Sequence, residues 1–190
     1  MLKIAIIIGS TRPCRKGEAV GKWVYDIARK RNDAEFELVD VTDFNLILLD
    51  KLTPAMSGQD NHDHTREWSA KIASFDGYVF VTSEYNQGTC DALKNAIDFP
   101  YQEWTNKAAG FVAYGGPRGA RAVENLRLVM AELQVATVGA QVVLSLFTDF
   151  EDFTVFKPAE MQEKNVNDML DLVIAWSGAL RPLRDKVGSD

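Results

Sequence analysis

Cysteine is nearly absent: Cys14 and Cys90 are the only two among 190 residues. Two such distant thiols make no disulfide framework and lack the paired spacing of a structural zinc site, which fits a reducing compartment. Long apolar runs are missing too. Ile4 to Ile8 and Leu46 to Leu49 fall far short of the roughly 18 residues a membrane helix needs. The apolar start after Lys3 reaches Gly9 and Arg12 without a small-residue cleavage site. The expectation is a cytoplasmic protein with no membrane partner. Nor is there an excess of positive charge. With 21 Lys and Arg against 27 Asp and Glu, the net charge is -6, so no nucleic-acid partner is expected and any anionic ligand must be held by a local patch. His62-Asp63-His64 offers metal-compatible donors but no further ligand nearby, so no metal is expected.

What the sequence does contain is an alternation of strand and helix patterns. Lys3 to Ile8 is a continuous apolar run of the kind found in strands buried on both faces. Val20, Trp23, Val24, Ile27 and Ala28 follow helical spacing between Glu18 and Arg31. Strands are then predicted at Phe36 to Val41, Tyr78 to Thr82, Ala108 to Tyr114 and Thr137 to Leu146. Helices are predicted around Trp68, Ile72 and Phe75, from Asp91 through Leu93, Ala96 and Ile97, over Arg121 to Leu133, and over Ala159 to Leu180. Asn45 to Asp63, with Pro54 and Gly58, reads as a long loop of the sort that forms lids or binding surfaces. Strands alternating with helices predict a three-layer α/β sandwich on a parallel sheet. One domain is expected over 1–185, with a frayed tail over 186–190. Trp23 and Trp68 are expected in the core, and Trp104, beyond the helix-ending Phe99-Pro100-Tyr101, at a subunit contact or a wall of a substrate site.

Three polar loops follow three of the strands: Gly9-Ser10-Thr11-Arg12, Ser83-Glu84-Tyr85-Asn86-Gln87-Gly88, and Gly115-Gly116-Pro117-Arg118-Gly119. All lie at carboxyl ends. Open parallel sheets bind ligands there, where the strand order reverses; in the order 2-1-3-4-5 that point falls between the first and third strands. In the first loop Ser10 offers a hydroxyl, Arg12 a charged fork, and the residues from Lys16 to Val20 a helix N-terminus. Gly17 permits close backbone approach, and Arg15 and Lys16 add positive field. These are the parts of a phosphate cradle; taken alone they equally describe a strand-to-helix turn with solvated basic side chains. The loop has neither the G-x-G-x-x-G of a dinucleotide fold nor the G-x-x-x-x-G-K-[ST] of a nucleoside triphosphatase.

The strings GSTRPCRKGEAV, SEYNQGTCDALKNAIDF and YGGPRGARAVENLR resemble the NAD(P)H-dependent FMN reductases of flavodoxin-like fold, among them quinone, azo-dye and chromate reductases. The middle string is the most specific, with Glu84 to Asn86 and Leu93 to Asp98 matching the family pattern. The resemblance implies a five-stranded parallel sheet in order 2-1-3-4-5 and a ping-pong reaction from NADPH or NADH through FMN to a small-molecule electron acceptor. It also implies that Ser10, Arg12 and the backbone of Arg15, Lys16, Gly17 and Glu18 hold the FMN phosphate, and that Glu84, Tyr85, Asn86, Gly115 and Gly116 hold the isoalloxazine ring. Ser83 stands where the family has proline, which removes a fixed φ beside the ring. Thr89-Cys90-Asp91 departs from the family where substrate lies, so the acceptor is not read from the sequence. A homodimer or homotetramer is implied as well. No side chain is assigned as acid, base or nucleophile, because the hydride chemistry belongs to the cofactor. Two other readings stand beside this one: a flavin-binding electron carrier or sensor that never meets nicotinamide, and an enzyme of phosphorylated small molecules that uses the cradle without flavin.

Overall fold

The computed structural model describes residues 1–57 and 62–187, and the apolar run near the start of the chain lies at its centre. Strand β1 (Lys3–Ile8) is buried at every position except the first. Ile4 and Ile6 face one core, Ala5 and Ile7 the other, as the two-residue alternation of a strand requires. Each fully buried isoleucine there contributes about 1.5–3 kcal/mol.

β1 pairs in parallel with β2 (Glu35–Asp40) on one side and β3 (Gly77–Tyr85) on the other, and β3 pairs with β5 (Ala108–Gly115). The two-residue β4 (Gly88–Thr89) folds back antiparallel on β3. Beyond β5 the last position is shared by β6 (Ala136–Thr137) and β7 (Val142–Ser145), both parallel to it. With β4 set aside this is the expected 2-1-3-4-5 order, its fifth strand in two pieces. The sequence pattern predicts that strand as one segment. Arg127, from helix α4 (Ala120–Glu132), explains the gap: its guanidinium donates to the Val138 carbonyl at 2.8 Å and to Gln141 Oε1 at 3.0 Å, so a side chain engages groups within the interruption.

Helices α2 (Asp63–Ala73), α3 (Asp91–Asp98) and α4 cover one face of the sheet through Trp68, Ile72, Leu93, Ile97, Val123 and Leu126. Helices α1 (Gly17–Ala28) and α5 (Met161–Val187) cover the other through Val20, Val24, Ile27, Val166, Met169 and Val173. No helix among the described residues is long and apolar enough to cross a membrane. α5 overlaps the start of the tail expected from 186, and 188–190 lie outside the described residues. Gly58, which helped mark the long loop, also lies outside them; on either side the chain forms short 3-10 turns at Val41–Phe44 and Ala55–Ser57 and enters α2.

The tryptophans divide between the layers. Trp68 is fully buried and donates to the Ala96 carbonyl at 2.7 Å. Trp104 is fully buried as well, edge-on to Tyr78 at 4.8 Å and donating to the Ile97 carbonyl at 3.0 Å. Trp104 is therefore a core residue, which corrects its expected place at a subunit contact or substrate wall: its indole N–H finds a partner inside, as a buried indole must. Trp23 on α1 is half-buried rather than core, edge-on to Phe156 at 5.4 Å, and Trp176 on α5 is exposed. Phe156 belongs to an antiparallel hairpin of β8 (Phe150–Glu151) and β9 (Val155–Phe156) that the sequence pattern does not predict.

Candidate active site

The three polar loops meet at the carboxyl edge of β1, β3 and β5. The first is held tightly. A Cβ on Gly9 would come within 2.7 Å of Leu93 Cβ, and one on Gly17 within 2.9 Å of the Tyr114 hydroxyl, so only glycine permits these approaches. Cys14 turns the chain with φ 56°, and Lys16 precedes α1 without any side-chain cap. The amides of Gly17, Glu18 and Ala19 thus come before the first intrahelical bond, from the Val20 amide to the Lys16 carbonyl. Ser10 is buried, and its Oγ has no hydrogen-bond partner.

The basic residues of this loop have different employments. Arg15 forks onto Asp40 at the end of β2 and donates to the Ser10 carbonyl at 2.6 Å. That hydrogen bond to Asp40 raises the Arg15 pKa against the opposing effect of burial. Burial pushes Asp40 up, but the bonds from Arg15 and Thr42 outweigh it and hold the carboxyl below its usual value. Arg15 is thus the brace of the loop. Glu18 turns outward to Lys22 at 2.7 Å. Arg12 is exposed, Lys16 half-buried, and neither side chain has an ion pair or hydrogen bond among the described residues.

In the second loop Asn86 and Gln87 have φ of 48° and 73°, the doubly left-handed pair of a tight hairpin turn, and they return the chain from β3 to β4. Tyr85, 39% exposed, stands beside that turn. The buried Glu84 carboxylate receives the Arg121 side chain, with Nε at 2.7 Å, and also its backbone amide at 3.3 Å, tying the hairpin to the start of α4. In the third loop Arg118 and Gly119 have φ of 66° and 79°. A Cβ on Gly119 would meet the Tyr114 amide nitrogen at 2.8 Å, one on Gly115 would meet Glu84 Cβ at 3.2 Å, and one on Gly116 would lie 3.8 Å from Phe147 Cε2.

Tyr114, the penultimate residue of β5, lies beneath all three loops. Burial pushes its hydroxyl up to about 12, with Cys90 adding to the shift, while the Ser83 and Ser10 hydroxyls oppose it. Those two serine Oγ atoms still meet no partner in hydrogen-bonding geometry. A cavity of about 300 Å³ is lined by Arg12, Arg15, Lys16, Ser83, Glu84, Tyr85, Tyr114 and Gly115. It adjoins one of about 990 Å³ lined by Ser10, Arg12, Tyr85, Cys90, Lys94 and Asn125, the two sharing Arg12, Pro13 and Tyr85. Of the residues singled out in the sequence, Gly17, Glu18, Asn86 and Gly116 frame these walls without lining them. Tyr114 and Asn125 were missed, as were Leu146 and Thr154 of the smaller cavity; each sits in a stretch that reads as ordinary strand, helix or loop. His62 and His64 stack on each other and place their Nε2 atoms 3.3 and 3.5 Å from Asp50, and among the described residues no group of three His, Cys, Asp or Glu is arranged to hold a metal.

Sheet order and cleft together define a flavodoxin-like α/β protein whose cleft lies at the switch point between β1 and β3, where such sheets bind ligands. Residues 2–149 match the family model for NADPH-dependent FMN reductase. The chain is 42% identical over 141 residues to an NAD(P)H-dependent FMN reductase of Nectria sp., covering 68% of this chain and 70% of that protein. It is 34% identical over 169 residues to one of Schizosaccharomyces pombe, covering 88% and 84%. Among solved structures, the flavoenzyme NAD(P)H:(acceptor) oxidoreductase FerB of Paracoccus denitrificans superposes with a TM-score of 0.72 at 18% identity, over 94% of this chain and 98% of that one. The chain belongs to the NADPH-dependent FMN reductase family, a family of oxidoreductases that work with NAD(P)H and FMN.

Proposed function

We propose that this chain passes two electrons from NADPH or NADH, by way of bound FMN, to a small organic or oxyanion acceptor such as a quinone, an azo compound or free flavin. The observation that carries the reading is the uncapped start of α1 near two cations, Arg12 and Lys16, and two buried hydroxyls, Ser10 and Ser83, all four without a side-chain partner among the described residues. A dianionic phosphate supplies what these groups lack: acceptor oxygens for the amides and hydroxyls, and charge for the cations.

FMN held there would supply the two-electron redox chemistry between nicotinamide and acceptor. The protein's part is placement. Ser10, Arg12, Lys16 and the amides of Gly17 and Glu18 hold the phosphate, and Arg15, braced on Asp40, keeps their loop in shape. Tyr85, Asn86, Gly115 and Gly116 bound the ring. Glu84, committed to Arg121, fixes the hairpin that carries Tyr85. No side chain of the cleft is required as acid or base. Ping-pong order, with donor and acceptor using the opening beside Tyr85 in turn, completes the proposal. The exposed apolar residues Leu48 and Leu52 of the long loop and Leu128 of α4 support a homo-oligomer, and the two segments approach each other where Ala55 and Val129 line one cavity.

The test is the visible spectrum of the protein after FMN loading and desalting, followed by anaerobic NADPH. Retained flavin that bleaches supports a reductase, whereas retained flavin that stays oxidised points to the carrier reading. Initial rates at several fixed quinone concentrations should give parallel double-reciprocal lines, and converging lines would refute the ping-pong order.

A further inference from the structure

Beside the cleft, the chain after β7 forms a strap whose two phenylalanine rings line neither cavity. Phe147 is 68% exposed and Phe153 is 55% exposed, yet their rings meet edge to face at 5.5 Å. The strap is well anchored. Asp149, almost fully buried, accepts from the Ser145 amide at 2.8 Å and the Ala159 amide at 3.2 Å, and its carbonyl accepts from the Lys157 amide at 2.9 Å. Asp152 and Phe153 turn the β8–β9 hairpin with φ of 49° and 56°, a conformation costly for a bulky side chain and suited to glycine. This turn instead holds an aromatic ring out into solvent. The strap is also stitched to the site: the Leu146 amide donates to the Gly115 carbonyl at 3.1 Å, Phe147 neighbours Gly116, and Leu146 and Thr154 line the smaller cavity.

We propose that Phe147 and Phe153 are the platform on which the adenine of the nicotinamide dinucleotide stacks, which makes them positioning residues for the donor. This rests on the reading that the donor is a nicotinamide dinucleotide. A rigid, exposed aromatic pair offers a π-face that any base accepts. It adjoins the smaller cavity through its chain neighbours Leu146 and Thr154, which puts it within the reach proposed for the far end of a donor whose near end faces Tyr85. Arg118, two residues beyond Gly116, is an exposed cation without a side-chain partner among the described residues, whereas Arg121 at the start of α4 is committed to Glu84. Arg118 is therefore the charge available to a 2′-phosphate, and Asp152 at the turn is the opposing acid.

The experiment compares the FMN-loaded wild type with Phe153→Ala, Phe153→Tyr and Phe147→Ala. Steady-state kinetics with NADPH and with reduced nicotinamide mononucleotide, which lacks the adenosine, are paired with calorimetric titration of adenosine 2′,5′-bisphosphate. Truncation to alanine is expected to raise the NADPH KM and weaken bisphosphate binding about tenfold, the scale of one lost base stack. The NADPH kcat should change less than twofold, and Phe153→Tyr should restore binding. An equal rise in the KM of the mononucleotide, or weaker retention of FMN, would overturn the proposal by placing the pair at the flavin; unchanged bisphosphate binding would overturn it outright. A change in sedimentation with no change in bisphosphate binding would reassign the pair to a contact between copies. If the wild type binds the bisphosphate through this pair but does not oxidise NADPH, the turnover reading fails while the subsite stands.

Discussion

At the scale of single residues, the first loop separates cations left without a partner among the described residues, Arg12 and Lys16, from one that braces it, Arg15. Arg12 has no side-chain partner among the described residues, so in its proposed role Arg12→Ala should weaken FMN retention at least tenfold while leaving the urea midpoint unchanged; fluorescence titration and chemical denaturation read the two effects. Lys107, at the opposite end of the sheet, supplies a pH dependence. It is 5% exposed and donates to the Ile72 and Ala73 carbonyls at the end of α2 and to the Tyr78 hydroxyl. Burial pulls its pKa down to about 7, from 10.5 for a free lysine. Below about pH 7 both folded and unfolded chains carry the charge, and the cost of burying it is fully felt. Between there and about 10.5 the unfolded chain holds the extra proton, so stability rises with pH by up to about 1.4 kcal/mol per unit. The stability difference between wild type and Lys107→Met should therefore shift in favour of the wild type from pH 7 to pH 9, and a difference flat across that range refutes it. Ser10 and Arg12 were legible because a glycine-flanked polar loop interrupts an apolar strand. Tyr114 was not, because a strand buried on both faces reads as apolar throughout and conceals a hydroxyl at its end. Arg15 looks like a phosphate ligand until folding brings Asp40 to it from 25 residues away.

At the scale of elements, legibility followed length. β1, β3 and β5 are each six residues or more and announce themselves as continuous hydrophobic runs. The pieces β6, β8 and β9 have two residues each, too few for a period of two to repeat. The β8–β9 turn is built from Asp152 and Phe153, without the glycine or asparagine that signals a hairpin. The β3–β4 turn is half legible, since Asn86 suits its left-handed position and Gln87 does not. Gln87→Gly should relieve that strain and stabilise the protein by about 0.5–1 kcal/mol, measured by urea denaturation. A loss of stability would mean that the Gln87 side chain matters more than its backbone, whose carbonyl accepts from Asn125 at 2.8 Å.

At the scale of the whole molecule, the expected sheet order was met because each crossover carries a helix, and right-handed crossovers leave few alternatives. The partner of the α4 face was less legible, since exposed leucines in one chain do not say what covers them. If that face joins two copies, Leu128→Asp should convert the assembly to monomer in sedimentation velocity at micromolar concentration; a wild type already monomeric would count against the oligomer. The division of the tryptophans has an optical consequence. Trp68 and Trp104 are sealed within the layer of α2, α3 and α4, whereas in the layer of α1 and α5 Trp23 is half-buried and Trp176 exposed. Acrylamide should therefore extinguish the red-shifted part of the emission and spare the blue. The light that survives is a private signal from one side of the sheet, so the melting of the α2–α3–α4 layer can be watched apart from that of its neighbour without attaching a label.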